Sequence, residues 1–324
     1  MDAIRTDGRA AAHDWAEAQL APGERIEGVE ALRGGWTSRM RRLDVTGPQG
    51  ARSLVLRSFV TPFYVRHAPA MLAREAAVLR LLRGTEVPAA EFLALDAEAA
   101  HCDHPSLLMS ALPGEVRIDP QGAAPRAGLL ARMLVAVHAL EVAPADRPRT
   151  YEAWTAPDRV RVPAATARPE LWRRAVDVIR REPPAYRPRF LHRDFHPGNV
   201  LFTGTGPALR ISGVVDWVET SWGPADLDVA HCSTTLALLY GVPHGLDFAD
   251  AYRRAGGELA TAPADHLYWR VLDALGFAPD AEKVAVPWRE LGRTDLTVEV
   301  LTGRLEDYLA ALLDRYATVA SADM

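Results

Sequence analysis

The sequence predicts an α+β protein in two parts, a small antiparallel sheet with one helix and then a larger, mainly helical part. Short strand-like runs between Gly- and Pro-rich turns fill most of the first part. Helical spacing of apolar residues interrupts these runs at residues 71–82 and predominates beyond residue 115. Leu112-Pro113-Gly114 breaks the pattern, so we divide the chain into a lobe of residues 1–109, a hinge of residues 110–114 and a lobe of residues 115–324.

In the first lobe, residues 9–20 predict a short helix. Three strands follow, from about residue 25 to the turn at residues 33–38, over residues 40–45 and over residues 53–60. The helix predicted at residues 71–82 ends before Gly84, and glycine is favoured just after a helix C-terminus. Two more strands, at residues 92–95 and 106–110, complete the predicted sheet.

In the second lobe, three segments have apolar residues at spacings of three and four, which predicts helices. These segments are residues 126–140, 170–181 and 296–316. Shorter apolar runs lie at residues 189–191, 200–202 and 211–215, and the last two flank a Gly-rich turn. We therefore predict a β-hairpin in the middle of the helical lobe.

Composition and charge limit the class of protein. The chain has 37 Lys and Arg against 42 Asp and Glu, and its net charge of -5 argues against a general nucleic-acid binder and suits a cationic small substrate. Two cysteines, Cys102 and Cys232, imply no disulfide framework and fit a reducing cytoplasm. The start of the chain has no signal-peptide pattern, and no apolar run approaches the roughly 20 residues of a membrane span. We expect a cytoplasmic protein without nucleic-acid, membrane or obligate protein partners.

One polar motif, His192-Arg193-Asp194-Phe195-His196-Pro197-Gly198-Asn199, lies between an apolar strand and the predicted hairpin. Phosphoryl transfer needs an in-line hydroxyl, screened phosphate charge and a carboxylate that orients the nucleophile. Asp194 supplies such a carboxylate, and Asn199 and Asp216 supply the hard oxygen ligands that Mg²⁺ prefers. A polar turn with capped backbone groups would explain the motif alone. The flanking strands and the Asp216-Trp217 pair favour the kinase interpretation.

With these residues, the chain resembles the aminoglycoside phosphotransferase family, which consists of small-molecule kinases with a bilobal protein-kinase-like fold. The resemblance covers about residues 28 to 275. It rests on His192, Asp194 and His196-Pro197-Gly198-Asn199 of the motif, on Val215-Asp216-Trp217 and on Asp228-Val229-Ala230, whereas Arg193 replaces a glycine that is common in the family. It implies that Asp194 is the catalytic aspartate, that Asn199 and Asp216 bind Mg²⁺, and that His192 and Asp228 support the catalytic loop. It also implies ATP as the phosphate donor, with GTP not excluded.

The resemblance assigns the nucleotide to the first lobe. Gly residues and short hydroxyls in the turn at residues 33–38 would approach the phosphates, although a simple tight turn is the alternative. Arg57 stands where a kinase normally has a lysine, and Glu75 is its natural ion-pair partner; a solvated Arg and Glu are the alternative. Backbone groups near residues 107–111 would read the purine edge. The predicted nucleotide-binding residues are thus Gly34, Gly35, Thr37, Ser38, Arg57, Glu75, Met109 and Ala111.

Protein kinases have the same His-Arg-Asp opening, but two features favour a small acceptor. His196 stands where protein kinases usually have a lysine, two residues after Asp194. Only eleven residues separate Asp216 from Asp228, which leaves no room for a long activation segment.

The acceptor itself is open at the level of sequence. Five residues are candidates for contacting it, with core packing or solvation as the alternative: Glu219, Asp265, Tyr268, Trp269 and Asp273. The leading hypothesis is a kinase of an aminoglycoside-type antibiotic, and the second is a kinase of an amino alcohol, amino acid or sugar amine. A regulatory, nucleotide-binding pseudokinase is the third, and its support is the arginine at position 57.

Overall fold

The structure is a computed structural model that describes residues 11–32 and 38–320, with side chains up to residue 316. The chain forms two compact units. The first comprises the residues up to 114 together with residues 212–218, and the second comprises residues 115–211 and 219–324. Asp216 therefore belongs to the first unit, whereas the division predicted from sequence placed it in the helical lobe. The functional meaning given to the two lobes stays a prediction.

The first unit is a five-stranded antiparallel sheet in the order β1-β2-β3-β5-β4. Residues 11–17 form helix α1 ahead of it, and one long helix follows the third strand. The elements are β1 (Arg25–Leu32), β2 (Arg39–Gly47), β3 (Gly50–Ser58), α2 (Pro62–Leu82), β4 (Phe92–Asp96) and β5 (Ser106–Ser110).

Alternation along the strands builds the core of this unit. Leu43 and Val45 of β2 and Leu54 and Leu56 of β3 are buried at every second position, and Trp15 of α1 packs against the same cluster. Burial of each such aliphatic side chain contributes about 1.5–3 kcal/mol to the free energy of unfolding. The period-two pattern that predicted the strands is thus the pattern of the core.

Helix α2 is longer than the sequence predicted. It begins at Pro62, nine residues before the predicted start at residue 71, and it contains Pro69. The apolar spacing did not reveal the first turns because they bury little: Phe63 is 57% exposed, and burial begins at Ala68. Pro62 itself suits the first turn of a helix, where its missing N–H is not needed.

The second unit is mainly helical, with a few short strands. Strand β6 pairs antiparallel with β8, and β7 pairs antiparallel with β10; β9 follows β8 along the chain, and its residues 212–214 belong to the first unit. Among the described residues, no helix is both long and apolar enough to cross a membrane. The elements are β6 (Glu115–Val116), α3 (Ala123–His138), α4 (Pro169–Val178), β7 (Pro188–Leu191), β8 (Val200–Thr203), β9 (Arg210–Val214), β10 (Ser221–Pro224), α5 (Ala225–Tyr240), α6 (Val242–Arg254), α7 (Pro263–Leu275), α8 (Glu282–Glu290) and α9 (Val298–Ala320).

Helix α5 is the centre of the second unit. It packs against α6, α7 and α9, and every residue from Ala225 to Leu239 is buried. A helix that is buried on all sides is usually apolar on all sides. This helix nevertheless carries Asp226, Asp228 and His231, so each of these polar groups requires a partner inside the protein.

Candidate active site

The motif at residues 192–199 forms a loop between β7 and β8, and the side chain of Asp228 anchors it. Its two carboxylate oxygens accept hydrogen bonds from the backbone N–H groups of His192 and Arg193, both at 2.8 Å. Arg193 has a φ of 72°, which is the left-handed conformation that non-glycine residues seldom adopt. The two bonds from α5 therefore hold a bend that the loop would not favour alone.

Asp228 has a buried partner of its own. Nε2 of His138 in α3 lies 3.2 Å from a carboxylate oxygen of Asp228, and Nδ1 of the same ring lies 2.7 Å from the hydroxyl of Tyr252. Burial favours the neutral acid, but the hydrogen bond from His138 and the neighbouring positive groups hold the pKa of Asp228 below its ordinary value. A charged, immobile carboxylate results, as loop support requires.

The carboxylate of Asp194 is bound from two sides and is 32% exposed. The amide nitrogen of Asn199 donates to Oδ2 and to the backbone carbonyl of Asp194, each at 2.9 Å. Nε2 of His231 lies 3.0 Å from Oδ1. Asn199 uses its amide nitrogen on Asp194, so its amide oxygen is the atom that can bind a metal ion.

His231 was not predicted from the sequence. It is 4% exposed, and its Nδ1 lies 3.0 Å from Asp273, whose other oxygen accepts a 2.6 Å hydrogen bond from Thr234. Burial opposes protonation, but Asp273 and Asp194 raise the pKa of His231 to about 9. Burial likewise opposes ionisation of Asp194, yet His196 and His231 hold the pKa of that carboxyl well below its usual range. The position of His231 three residues after Asp228, on the same helix, was the available signal.

Asp194, His196 and His231 lie close enough for their ligand atoms to surround one metal ion. The protonation of the two rings argues against that role. Nδ1 of His196 accepts the N–H of Gly198 at 3.0 Å, so the ring proton lies on Nε2, and His231 carries protons toward two carboxylates. The nitrogen lone pair of His196 is engaged by Gly198, and His231 has none, so neither ring has a free lone pair for a metal. The structural role that the sequence interpretation gave to the loop histidines stays a prediction.

A second charged cluster lies in the first unit. Nη1 of Arg57 donates to both oxygens of Glu75, at 3.0 and 3.1 Å, and to Oδ1 of Asp216 at 3.0 Å. Arg57 and Glu75 are 3% and 1% exposed, whereas Asp216 is 30% exposed. Burial opposes the charge of Arg57, but Asp216 and Glu75 raise its pKa above the ordinary value. The ion pair expected between Arg57 and Glu75 is present, and Asp216 is a third member.

The two residues predicted to bind Mg²⁺ have suitable donor atoms. The amide oxygen of Asn199 and the partly exposed carboxylate of Asp216 are hard oxygen ligands of the kind that Mg²⁺ selects. Each is fixed within its own unit, Asn199 by Asp194 and Asp216 by Arg57. The donor set therefore fits the ion that the family resemblance implies.

The remaining predicted nucleotide residues are less informative. Three of them, Gly34, Gly35 and Thr37, lie outside the described residues. Ser38 is buried, and Met109 lies on β5, which pairs with β3 on one side and with β4 on the other. The N–H of Ala111 donates to the carbonyl of Ser53 at 3.0 Å and so is already used within the unit.

The five candidate acceptor residues do not form an open acidic surface. Glu219 lies 2.6 Å from Arg149 and Asp265 lies 3.0 Å from Arg181, while Asp273 binds His231 and Thr234. Both aromatic candidates belong to the hydrophobic core of the second unit: Tyr268 at 5% exposure and Trp269 at 0%. Their predicted contact with an acceptor stays a prediction.

Two other side chains approach the loop from within the second unit, and neither was predicted. Trp154 is 40% exposed, and its ring lies 4.9 Å from that of His231 and 4.3 Å from the guanidinium carbon of Arg193. Lys283, the only lysine in the chain, lies 5.6 Å from the ring of Phe277, which stacks on His231. Burial lowers the pKa of Lys283 against the pull of Asp273 and Asp194. The uniqueness of this lysine was the available signal.

Solved structures share the fold of the chain. A Ralstonia eutropha JMP134 protein assigned to the aminoglycoside phosphotransferases is 19% identical, with 96% of this chain and 98% of that chain covered and a TM-score of 0.61. APH(4)-Ia in complex with AMP-PNP and hygromycin B is 15% identical, with 94% and 98% covered and a TM-score of 0.60. APH(2")-IIIa in complex with GDP and kanamycin is 16% identical, with 87% and 97% covered and a TM-score of 0.59.

At these identities the likeness establishes an α+β, kinase-like fold, and the family is established by sequence. A comparison of the sequence with curated proteins found no match. The model of the phosphotransferase enzyme family matches residues 28–275, which is more than half of the chain and includes the anchored loop, Asn199 and Asp216. The chain therefore belongs to the phosphotransferase enzyme family, whose members transfer phosphate to hydroxyl groups.

Proposed function

We propose that this phosphotransferase uses ATP and Mg²⁺ to phosphorylate a hydroxyl group of a small molecule. The observation that carries the proposal is the carboxylate of Asp194, which is partly exposed, ionised and fixed by Asn199 and His231. A carboxylate in this state can accept the hydrogen bond of a hydroxyl and orient its oxygen toward phosphorus. GTP remains an alternative donor.

In the proposed reaction, the acceptor oxygen bonds to the γ-phosphorus while the bond from that phosphorus to the bridging oxygen of ADP breaks. The hydroxyl proton passes to Asp194 and then to solvent. Asn199 and Asp216 would hold Mg²⁺, which supplies positive charge against the nucleotide phosphates when it is bound. Arg57 adds a second positive charge, because two carboxylates keep its guanidinium protonated and in place.

The acceptor that we propose first is an aminoglycoside-type antibiotic. Support comes from two structural neighbours, one bound to kanamycin and one to hygromycin B. The alternative is a small metabolite such as an amino alcohol, an amino acid or a sugar amine. The ion pairs of Glu219 and Asp265 favour this alternative. A polycationic antibiotic would require carboxylates to bind its ammonium groups, and these two carboxylates are already paired with Arg149 and Arg181.

Two observations argue against the pseudokinase hypothesis. The chain belongs to an enzyme family, and it keeps Asp194, Asn199 and Asp216. We propose the cytoplasm as the location of the enzyme. Both cysteines, Cys102 and Cys232, are buried and free, which suits a reducing compartment.

The test is a coupled ADP-release assay with kanamycin, hygromycin B, other cationic antibiotics, choline, amino acids and amino sugars as acceptors. Asp194→Asn serves as the blank, since it keeps the size of the side chain and removes the charge. We expect the variant to lower kcat by about 10²–10⁴-fold. The dissociation constant for the nucleotide, measured by calorimetry, should stay within about twofold of the wild-type value. In the proposed reaction Asp194 contacts the acceptor and not the nucleotide.

The assay also separates the hypotheses about the acceptor. Turnover with a metabolite alone would reject the antibiotic proposal, and equal kcat values for Asp194→Asn and wild type would reject the role of Asp194.

A further inference from the structure

Asp194 has a support that its own loop does not supply. His231 reaches Oδ1 of Asp194 from helix α5, and Asp273 holds the opposite nitrogen of the ring from helix α7. Thr234, one turn further along α5, donates to the second oxygen of Asp273. Two buried helices of the second unit thus converge on one oxygen of the proposed catalytic carboxylate.

The geometry of the ring fixes its protonation. A neutral imidazole has one N–H donor and one lone pair, and a lone pair that faces a carboxylate is repelled. Both nitrogens of His231 lie 3.0 Å from carboxylate oxygens, so both carry hydrogen. The rings of Trp154 and Phe277 lie 4.9 and 5.5 Å from the ring of His231. They exclude water from it and so strengthen its two ion pairs.

We propose that His231 is a positioning residue for Asp194, and that Asp273 holds it in the doubly protonated form. This inference rests on the proposed function. His231 fixes Oδ1 while Asn199 fixes Oδ2, and the remaining lone pairs of the carboxylate can receive the acceptor hydroxyl. During transfer His231 keeps both protons, so it orients and charges the site while the hydroxyl proton passes to Asp194.

Several charged or titratable groups face His231. Asp194 and His196 face it from the loop and Asp273 from α7, with the His196 ring centre 5.8 Å away. Arg193 lies behind Trp154, and Lys283 of α8 lies over Phe277. The two bonded carboxylates act on the ring directly, whereas the two cationic side chains, Arg193 and Lys283, act through intervening rings and His196 carries a single ring proton. This imbalance explains why the ring keeps its proton.

The same two helices supply a matched control. His266 of α7 is buried, and its Nδ1 lies 3.0 Å from Asp226 of α5, so this pair reverses the helix positions of Asp273 and His231. Asp226 otherwise binds the backbone of Ala260. Burial lowers the pKa of His266, in contrast to His231. His266→Gln thus disturbs a buried His–Asp pair between α5 and α7 that takes no part in the proposed site.

The experiment compares His231→Gln with His266→Gln in ATP hydrolysis, with water as the acceptor, so that no acceptor needs to be identified. For His231→Gln we expect kcat to fall on the order of 10²-fold, as for a displaced catalytic group, with the KM for ATP within about twofold of wild type. For His266→Gln we expect kcat within about twofold of wild type. In wild type, kcat should also fall as the pH rises through about 9, where His231 loses its proton, and His231→Gln should lack this decline.

A spectroscopic measurement separates failure of this inference from failure of the proposed function. Histidine ¹⁵N spectra should show both nitrogens of His231 protonated at pH 7.5, and Asp194→Asn and Asp273→Asn should each lower the pKa of the ring. A neutral His231 at pH 7.5 would overturn the inference, as would equal kcat values for the two glutamine variants. If wild type releases no ADP with any acceptor, the proposed function fails, and the nitrogen spectra alone decide whether His231 holds Asp194.

Discussion

Arg57 is the cation of the buried charged cluster in the first unit. Its guanidinium is buried with Glu75, which is also buried, and reaches the partly exposed Asp216. A lysine offers a compact ammonium, whereas the forked guanidinium can bind two carboxylates at once. The arginine therefore keeps the positive charge and also fixes the predicted metal ligand.

Replacement of this arginine should show how much the cluster stabilises the fold. Arg57→Met leaves Glu75 buried without its cation, so we expect the free energy of unfolding to fall by about 3–5 kcal/mol. Urea denaturation measures the change. Arg42→Met is the control, since Arg42 and Asp44 form an exposed pair on the neighbouring strand β2 and should contribute at most about 1 kcal/mol. If the two variants lost equal amounts of unfolding free energy, burial of the cluster would not contribute to stability.

The sequence predicted site residues on the loop but gave no sign of their tertiary partners. Asp194 and Asn199 were predicted from the eight-residue motif, and Asp216 from the Asp-Trp pair after the following strand. His231 lies 37 residues from Asp194 and meets it only because α5 packs beneath the loop, and no local pattern records that contact. Trp154 lies in an irregular segment, so periodicity gave it no role.

At the level of elements, helix α5 links the loop to the core. Its side chains bind the loop through Asp228 and His231, and bind α7 through Asp226 and His231. Because α5 is buried on all sides, displacement of the helix would disturb the core as well as the site. Period-two spacing predicted the strands of the first unit and helical spacing predicted α3, α4 and α9, whereas the start of α2 was missed because its first turns are exposed.

Asp228→Asn tests the anchoring of the loop by α5. An amide offers one acceptor oxygen where two N–H groups now meet a carboxylate, and it loses the charge that attracts His138. We expect a loss of about 1–3 kcal/mol in the free energy of unfolding, together with a large loss of kcat in the ADP-release assay.

Asp226→Asn is the control on the same helix. It should cost comparable stability, because Asp226 is also buried and bonded to a histidine and to backbone. Its kcat should stay near that of wild type, since these bonds do not reach the loop. Unchanged kcat in Asp228→Asn would contradict the anchoring role.

At the scale of the whole molecule, the buried ionised groups set the pH dependence of stability. The raised pKa of His231 adds stability that is complete below the ordinary histidine value of 6.5 and is lost as pH rises through about 9. The lowered pKa of Asp228 adds stability above its ordinary value of 3.8 that is lost in acid. The lowered pKa of His266 removes stability below pH 6.5.

These directions combine to predict greatest stability near pH 6.5, with a decline toward pH 9 and another toward acid. Urea midpoints measured from pH 4 to pH 10 test this expectation. His231→Gln should flatten the alkaline decline, because the group that loses its proton near pH 9 is removed. A decline of the same steepness in that variant would assign the alkaline effect to another group.

The fold class and the family could be predicted from the sequence because they depend on spacing and on a motif. The acceptor could not be predicted, because its contacts come from side chains whose partners are set by packing. Asp265 illustrates the point: it reads as a possible contact for an ammonium group, yet the structure pairs it with Arg181. A carboxylate in a sequence does not reveal whether its charge is already balanced.

The single lysine of the chain has a practical consequence for spectroscopy. Apart from the terminal amine, Lys283 is the only amine for reductive methylation with ¹³C-formaldehyde. The reaction keeps the positive charge and would place one isotopic label over Phe277, beside the His231 ring. The resonance of that label would test whether a nucleotide or a candidate acceptor binds near the loop at residues 192–199, and the terminal amine would carry the other label.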